Sequence, residues 1–443
     1  MSRITPLTGF PEWLPRERLV EQQILDVLRE TFELHGFSSI ETRAVEPVDF
    51  LLRKGEIDKE VYGVRRIHAD ESDADQMALH FDLTVPFSRY VLEKAGKLEF
   101  PFRRYQIQKA WRGERPQFGR FREFLQADAD IIGRGELPTH FDAEVVLLIA
   151  DIFSRLDIGS FVIRVNNRKV AEGFYRGLQI ADTAGVLRAI DKIDKIGDRV
   201  REQLPDEVSD EQADKVMALA AIRTTDLSFV EQVRGLGVEH PLLDEGLAEL
   251  EAVMQTAIAA APKGVVLADL SIARGLDYYT GTVYETNLEG FESLGSVCSG
   301  GRYDELASDG KNTYPGVGIS VGVSRLMAVL LRDGIADVTR GVPTCVLLAV
   351  GDEAQRAESN ALASTLRARG ISVEVSPSAA KFGKQIKYAD RRQIPFVWFV
   401  QDDGSHQVKD IRSGEQVDAD PSTWTPPEAD LRPRLSHPHK ENL

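Results

Sequence analysis

A chain of 443 residues, 42% of them hydrophobic, is long enough for two or three domains and can build a sizeable core. No apolar run reaches the ~18 residues of a membrane span, Met1–Phe10 lacks the apolar core of a secretory signal, and the eight histidines and two cysteines show no metal-ligand spacing, so no structural metal is expected. The formal net charge of −16 discourages nonspecific nucleic-acid binding, but a specific site depends on how charge is distributed locally.

In chain order, Val20, Ile24, Val27, Leu28 and Phe32 follow helical spacing, with Gly36 as a natural stop. Residues 77–91 and 102–111 suit strands and strand-to-helix turns, and residues 121–133 alternate as a half-buried strand ending at Gly133. Asp142 precedes an apolar stretch from Val145 to Leu156 whose length favours a buried helix. From Asn167 to Pro262 the chain is charged and rich in Ala, Leu, Asp and Lys, which reads as an inserted helical module. Strand character returns at Val265–Ala273 and Thr282–Thr286.

After a linker at Arg332–Pro343, the pattern is strand Thr344–Val350, helix Asp352–Arg369 closed by Gly370, and strand Ile371–Val375. Helix Lys381–Arg392 and strand Phe396–Val400 follow, which predicts a small parallel α/β domain. Beyond about Pro421 a proline-rich, charged tail is expected to be loosely ordered, and His437 and His439 belong to it. Cys298 and Cys345 read as buried hydrophobes in a reducing compartment.

Three stretches carry chemistry. From Phe102 to Arg122 seven basic residues stand against one acid, Glu114. Arg112, Glu114, Arg115, Arg120 and Arg122 flank a turn holding Pro116, Gln117 and Gly119, which fits a hairpin with arginines on both arms. Guanidinium forks grip phosphate and carboxylate oxygens in pairs, so an anion site is expected here. A second basic island, Lys381, Lys384, Lys387, Arg391 and Arg392, suits a second contact with a polyanion or a plain solvated face. Ala273 to Gly281 places Arg274 beside Tyr278 and Tyr279, a cation and two hydroxyls for one pocket. The third stretch is rich in glycine: Ser299–Asp304, then Gly316, Gly318 and Gly322 leading to Arg325. Its spacing is not the dinucleotide fingerprint and no P-loop occurs, so any ATP is bound without one.

WRGERPQFGRFREF (111–124) and GVGISVGVSRL (316–326) resemble the second and third signature motifs of class II aminoacyl-tRNA synthetases. ARGLDYYTG (273–281) and CSGGRYD (298–304) resemble the two stretches peculiar to the histidyl-tRNA synthetase family. The likeness runs over essentially the whole chain. It implies an α/β protein: an antiparallel six-stranded α+β catalytic sheet flanked by helices, a helical insertion, and a C-terminal α/β anticodon-binding domain. On this chain the parts are residues 1–166 and 263–335 (catalytic), 167–262 (insertion), 341–425 (anticodon-binding) and 426–443 (flexible tail).

The resemblance also implies a cytoplasmic homodimer that activates L-histidine with ATP, with Mg2+ expected, and charges tRNA(His). Arg112 would hold the ATP α-phosphate and the histidine carboxylate, Arg120 the outer phosphates, and Arg274 the charge growing on the α-phosphate. Adenine would lie between Phe124 and Arg325, with Glu114 at its amino group. Asp82, Thr84, Gln126 and Asp130, with Tyr278, Tyr279 and Tyr303, would hold the amino group and imidazole, and Arg115 and Gln117 would touch the tRNA. Where the first class motif has a proline, this chain has Thr42–Arg43–Ala44, and Ser324 replaces the acid usual before Arg325. The alternative is an inactive paralogue that senses histidine as a regulatory subunit, and Arg274 together with residues 343–416 favours the enzyme.

Overall fold

The computed structural model describes residues 5–52, 60–68, 76–272 and 278–438. They fall into two compact units, one within Met1–Pro11 and Asp26–Leu330, the other within Glu12–Leu25 and Leu331–His439.

The larger unit is built on a hairpin, β5 (Phe102–Trp111) and β6 (Glu123–Ile132), paired antiparallel over its whole length. Around it come β1 (Ser38–Ser39), β7 (Phe161–Asn167), β8 (Arg223–Thr224) and β9 (Val266–Asp269). The set is completed by β10 (Thr282–Leu288), β11 (Cys298–Tyr303) and β12 (Gly316–Gly322). Among the described residues the sheet order is β1-β5-β6-β12-β11-β10-β7-β9-β8. The six strands from β5 to β7 in that order pair antiparallel, as expected for the catalytic sheet. The short β1 joins β5 in parallel, and β9 joins β7 in parallel with β8 beyond it.

Successive strand residues point to opposite faces, so each strand divides its side chains between two environments. One face of β6 carries Ala127, Ala129 and Ile131, and β12 adds Val317, Ile319 and Val321, all buried. Helix α1 (His140–Leu156) packs on β7, β11 and β12, burying Val145, Val146, Ile149, Ile152 and Phe153. It ends at Asp157, whose left-handed backbone (φ 52°) lets its N–H donate to the Phe153 carbonyl. The opposite face is polar. Arg104, Gln106 and Gln108 of β5 stand directly across from Asp130, Asp128 and Gln126 of β6, which face Gly318, Ser320 and Gly322 of β12. Gln126, Ser320 and Gly322 of that row border a small cavity.

Residues 77–91 resolve into a short strand, Met77–Leu79, and a helix, Thr84–Lys94, which puts Asp82 in the turn between them and Thr84 at the first residue of the helix. The stretch 167–262 is helical, chiefly Arg168–Gly177, Thr183–Ile190, Asp210–Ala220, Ser228–Gly235 and Pro241–Ala260, and Arg223–Thr224 within it joins the main sheet.

In the smaller unit β14 (Val346–Leu348) pairs in parallel with β15 (Val373–Val375) and β16 (Phe396–Val400). Two strands not foreseen, β17 (His406–Asp410) and β18 (Gln416–Asp418), extend that sheet antiparallel. The expected loose tail needs correction. Trp424 packs its ring 5.5 Å from Phe396 and 5.4 Å from Trp398, and Leu435–Ser436 pairs antiparallel with Asp337–Val338 of the expected linker. Buried aromatic area outweighs the proline-rich composition that suggested disorder. His439 lies outside the described residues.

Candidate active site

The hairpin connection carries Arg112 to Arg122, closed by a tight turn in which Gln117 and Arg120 exchange backbone hydrogen bonds of 3.1 and 2.9 Å. Arg112 donates to the Phe81 carbonyl (3.2 Å) and lies over the rings of Phe81 (4.3 Å) and Phe124 (5.1 Å). Glu114 stands between the two arginines, 3.9 Å from Arg112 and 3.8 Å from Arg120. At those distances the carboxylate steers both guanidinium groups without satisfying them. Arg325, at the start of the helix after β12, donates to the Ser296 carbonyl (2.6 Å) and the Gly119 carbonyl (3.4 Å). Ser324 before it accepts from the Leu125 N–H (2.8 Å), which ties that helix to β6 and gives the replaced acid's position a structural task.

Arg112, Glu114, Arg120 and Arg325 line both a cavity of about 910 Å³ and a smaller one of about 180 Å³. Phe124, Gln126 and Ser320 belong to the smaller, while Tyr279, Arg168 and Arg188 belong to the larger. Arg115 and Gln117 are exposed at the turn and line neither.

A second group gathers on the polar face of the sheet. The Tyr278 and Tyr279 rings are 4.7 Å apart, and Tyr278 meets Tyr303 edge to face at 6.0 Å. Tyr278 also shares a hydrogen bond with Thr84 and feels the charge of Asp82. The Tyr303 hydroxyl donates to Asp130 Oδ1 (2.8 Å), and Arg104 Nη2 approaches Asp130 Oδ2 to 2.6 Å. Burial raises the Asp130 carboxyl above its ordinary range, opposed by Arg104 and the Tyr303 hydrogen bond. Burial likewise pushes the three tyrosines up, so all are neutral donors near pH 7. Glycine makes this packing possible. A Cβ on Gly318 would sit 2.2 Å from Asp130 Oδ1, and one on Gly316 would sit 2.6 Å from the Tyr303 ring. These glycines admit the side chains of Asp130 and Tyr303 to the polar face of the sheet.

The structure thus assembles two groups: Arg112, Glu114, Arg120, Phe124, Gln126 and Arg325 at the cavities, and Asp82, Thr84, Asp130, Tyr278 and Tyr303 beside them, with Tyr279 reaching the larger cavity. Arg274 lies in 273–277, outside the described residues.

The histidyl-tRNA synthetase family profile matches residues 9–326, and an anticodon-binding-domain profile matches residues 344–423. The histidine–tRNA ligase of Micrococcus luteus is 59% identical over 98% of this chain and 99% of its own. The chain belongs to the histidyl-tRNA synthetase family. A crystal structure of histidyl-tRNA synthetase from a Nostoc species superposes with a TM-score of 0.85 at 35% identity, covering 95% of this chain and 97% of that one. An ATP phosphoribosyltransferase regulatory subunit/histidyl-tRNA synthetase from Bacillus halodurans C shares the fold at a TM-score of 0.73 and 21% identity, covering 87% and 97%.

Several residues important to this synthetase-family site escaped the sequence reading. Arg104, within the basic stretch where an anion site is expected, is fully buried against Asp130. Its neighbour Arg103 points the other way and pairs with Glu144 (Nη2 to Oε2, 3.0 Å), and Lys109 pairs with Glu123 (2.5 Å). Arg302 is buried with Asp142 of α1 (2.7 Å) and also donates to the Leu137 and Pro138 carbonyls, which fixes the strand bearing Tyr303. Asp128, also missed, is taken up below.

Proposed function

We propose that the chain activates L-histidine with ATP and transfers the histidyl group to tRNA(His). The observation that carries this reading is the convergence of Arg112, Glu114, Arg120 and Arg325 on one cavity, which Gln126 and Ser320 of the polar row also line. The substrate carboxylate is already a nucleophile, so the protein needs no general base and works by positioning and charge neutralisation. Arg112 holds that carboxylate against the α-phosphate, Arg120 holds the outer phosphates, and Phe124 and Arg325 enclose adenine with Glu114 at its amino group. A carboxylate oxygen then attacks the α-phosphorus as the bond to pyrophosphate breaks, giving histidyl-adenylate. In the second step a terminal ribose hydroxyl of the tRNA attacks the acyl carbon, its proton passes to the departing phosphate, and AMP leaves. Arg274 stabilises the charge on the α-phosphate, and Arg115 and Gln117 contact the tRNA.

Asp82, Thr84, Gln126, Asp130 and the three tyrosines enclose the amino group and imidazole. A site of buried polar groups rejects isosteric apolar amino acids by about 10⁴–10⁵-fold, because the wrong side chain leaves those groups unpaired. Among the described residues no group of three or more His, Cys, Asp or Glu is placed to hold a metal. Mg2+ commonly binds through one or two carboxylates and substrate phosphates, and Glu285 on the large cavity fits that mode. Bound there, the ion would neutralise phosphate charge.

The homodimer is part of the same reading, supported by the exposed apolar Ile67 and Met77 beside the three-stranded sheet of Val45–Pro47, Gly63–Val64 and Met77–Leu79. So is a cytoplasmic setting, supported by two unpaired, buried cysteines and by the lack, among the described residues, of a helix long and apolar enough to cross a membrane. A histidine-sensing regulatory subunit is disfavoured by the match of residues 344–423 to an anticodon-binding domain and by the 59% identity to a ligase. The test is ATP–pyrophosphate exchange against all twenty amino acids: histidine alone should support it, and exchange with another amino acid or with none refutes the reading.

A further inference from the structure

Asp128 lies between Gln126 and Asp130 on the polar face of β6, across from Gln106 and Ser320. It is 1% exposed, and its Oδ1 has no hydrogen-bond partner among the described residues. Gln126, 9% exposed, is in the same position: its Nε2 donates to Ser320 Oγ (2.6 Å), which leaves Oε1 as an unpartnered acceptor on a side chain lining the smaller cavity. Two buried acceptors with no donor are expensive to keep, and native proteins rarely leave such groups without a purpose. The neighbouring Asp130 accepts from Tyr303 at Oδ1, and its Oδ2, also without a hydrogen-bond partner among the described residues, is neutralised by Arg104 2.6 Å away.

Arg112 lines the same small cavity as Gln126 and Ser320. In an amino acid the ammonium group sits one carbon from the carboxylate. A substrate whose carboxylate reaches Arg112 therefore has its ammonium within the cavity that Gln126 lines, one strand position from Asp128 on the same face.

We propose that Asp128 is a further substrate-binding residue, which with Gln126 forms a buried acceptor pair for the α-ammonium group of the amino acid. The proposal rests on the histidine-activating function above and adds a residue to it. The same geometry makes binding sensitive to pH. Burial pushes the Asp128 carboxyl up to about 7, opposed by Arg104 of β5 and the Ser320 hydrogen bond, and reinforced by the charges of Asp130 and Asp82. Tyr279 and the Cys298 thiol of β11 also face this charge. An arriving ammonium favours the ionised form, so binding near neutral pH drives a proton off Asp128, and affinity rises as pH rises through about 7.

The test is calorimetric titration of the full-length protein and its Asp128→Asn variant between pH 6 and 8.5, with three probes: histidine, histamine, and 3-(imidazol-4-yl)propionate, which lacks the ammonium. A lost charge-assisted hydrogen bond weakens binding about 10–100-fold. That loss is expected for histidine and histamine, with the propionate nearly unchanged. The proton released on binding near pH 7 should also be smaller in the variant. Thermal stability at pH 8 should be unchanged or higher in Asp128→Asn and in Asp128→Ser, because an ionised buried acid has been removed. Equal weakening of all three probes, no weakening of histidine, or destabilised variants would each overturn the proposal. If the unaltered protein fails to bind histidine, the functional reading falls and the inference falls with it.

Discussion

Replacing Arg104 by Met tests whether the polar row of β5 and β6 is held by one buried cation. The guanidinium is wholly inaccessible, 2.6 Å from Asp130 Oδ2, 3.4 Å from Gln106 Oε1 and 4.3 Å from the centroid of the Phe87 ring. Methionine matches much of its apolar contact and removes the charge. Breaking a buried ion pair by removing one partner costs about 3–5 kcal/mol, because a charge is left uncompensated. Here the cost depends on pH. Asp128 and Asp130 are both carboxyls raised by burial, so at low pH they take up protons and escape the penalty. The folded protein thus holds protons that the unfolded chain, with ordinary carboxyls, has released. This protonation-linked stability is lost as pH rises from the unfolded value through about 7. Arg104→Met should therefore be mild at pH 5.5 and carry the full cost at pH 8. At about 2–4 °C per kcal/mol, the fall in Tm at pH 8 is roughly 6–20 °C. Thermal denaturation at the two pH values decides it: a fall under about 2 °C at pH 8, or a larger fall at pH 5.5 than at pH 8, refutes the reasoning.

Three further outcomes are expected. Gly318→Ala places a methyl 2.2 Å from Asp130 Oδ1 and should raise the histidine KM in pyrophosphate exchange about tenfold or more, with overpacking costing roughly 1–3 kcal/mol in thermal unfolding. Arg274→Ala should lower histidine-dependent exchange about 10²–10³-fold with little change in Tm, whereas near-normal exchange would remove its proposed role. Replacing Lys381, Lys384 and Lys387, all exposed, by Ala should raise the KM for tRNA and flatten the salt dependence of charging while exchange stays unchanged, and a parallel loss of both activities would argue against a tRNA contact there.

Much of the site was legible because its residues sit in short contiguous stretches. Arg112, Glu114, Arg120, Phe124 and Arg325 were chosen from the sequence and meet at one cavity. What was not legible is pairing across the fold. Arg103 and Arg104 are adjacent in sequence, yet strand alternation sends one to Glu144, 41 residues on, and the other to Asp130. A basic run therefore looked like an anion site along its whole length when its first part is neutralised from within. Asp128 could have been found. Once residues 121–133 are read as a strand, period-two alternation puts Gln126, Asp128 and Asp130 on one face, and an acid between two site residues needs a partner. The tail escaped because composition says nothing of where Trp424 packs, and β1 and β8, two residues each, are too short to leave a pattern.

The most direct measurement is a crystal structure with histidine and a non-hydrolysable ATP analogue bound together. One continuous site is expected, with Arg112 between the carboxylate and the α-phosphate, those reacting atoms about 3–3.5 Å apart, and the ammonium and imidazole on the Gln126–Asp130 row. A nucleotide bound away from Arg112 and Arg325, or a histidine that leaves that row untouched, would contradict the account.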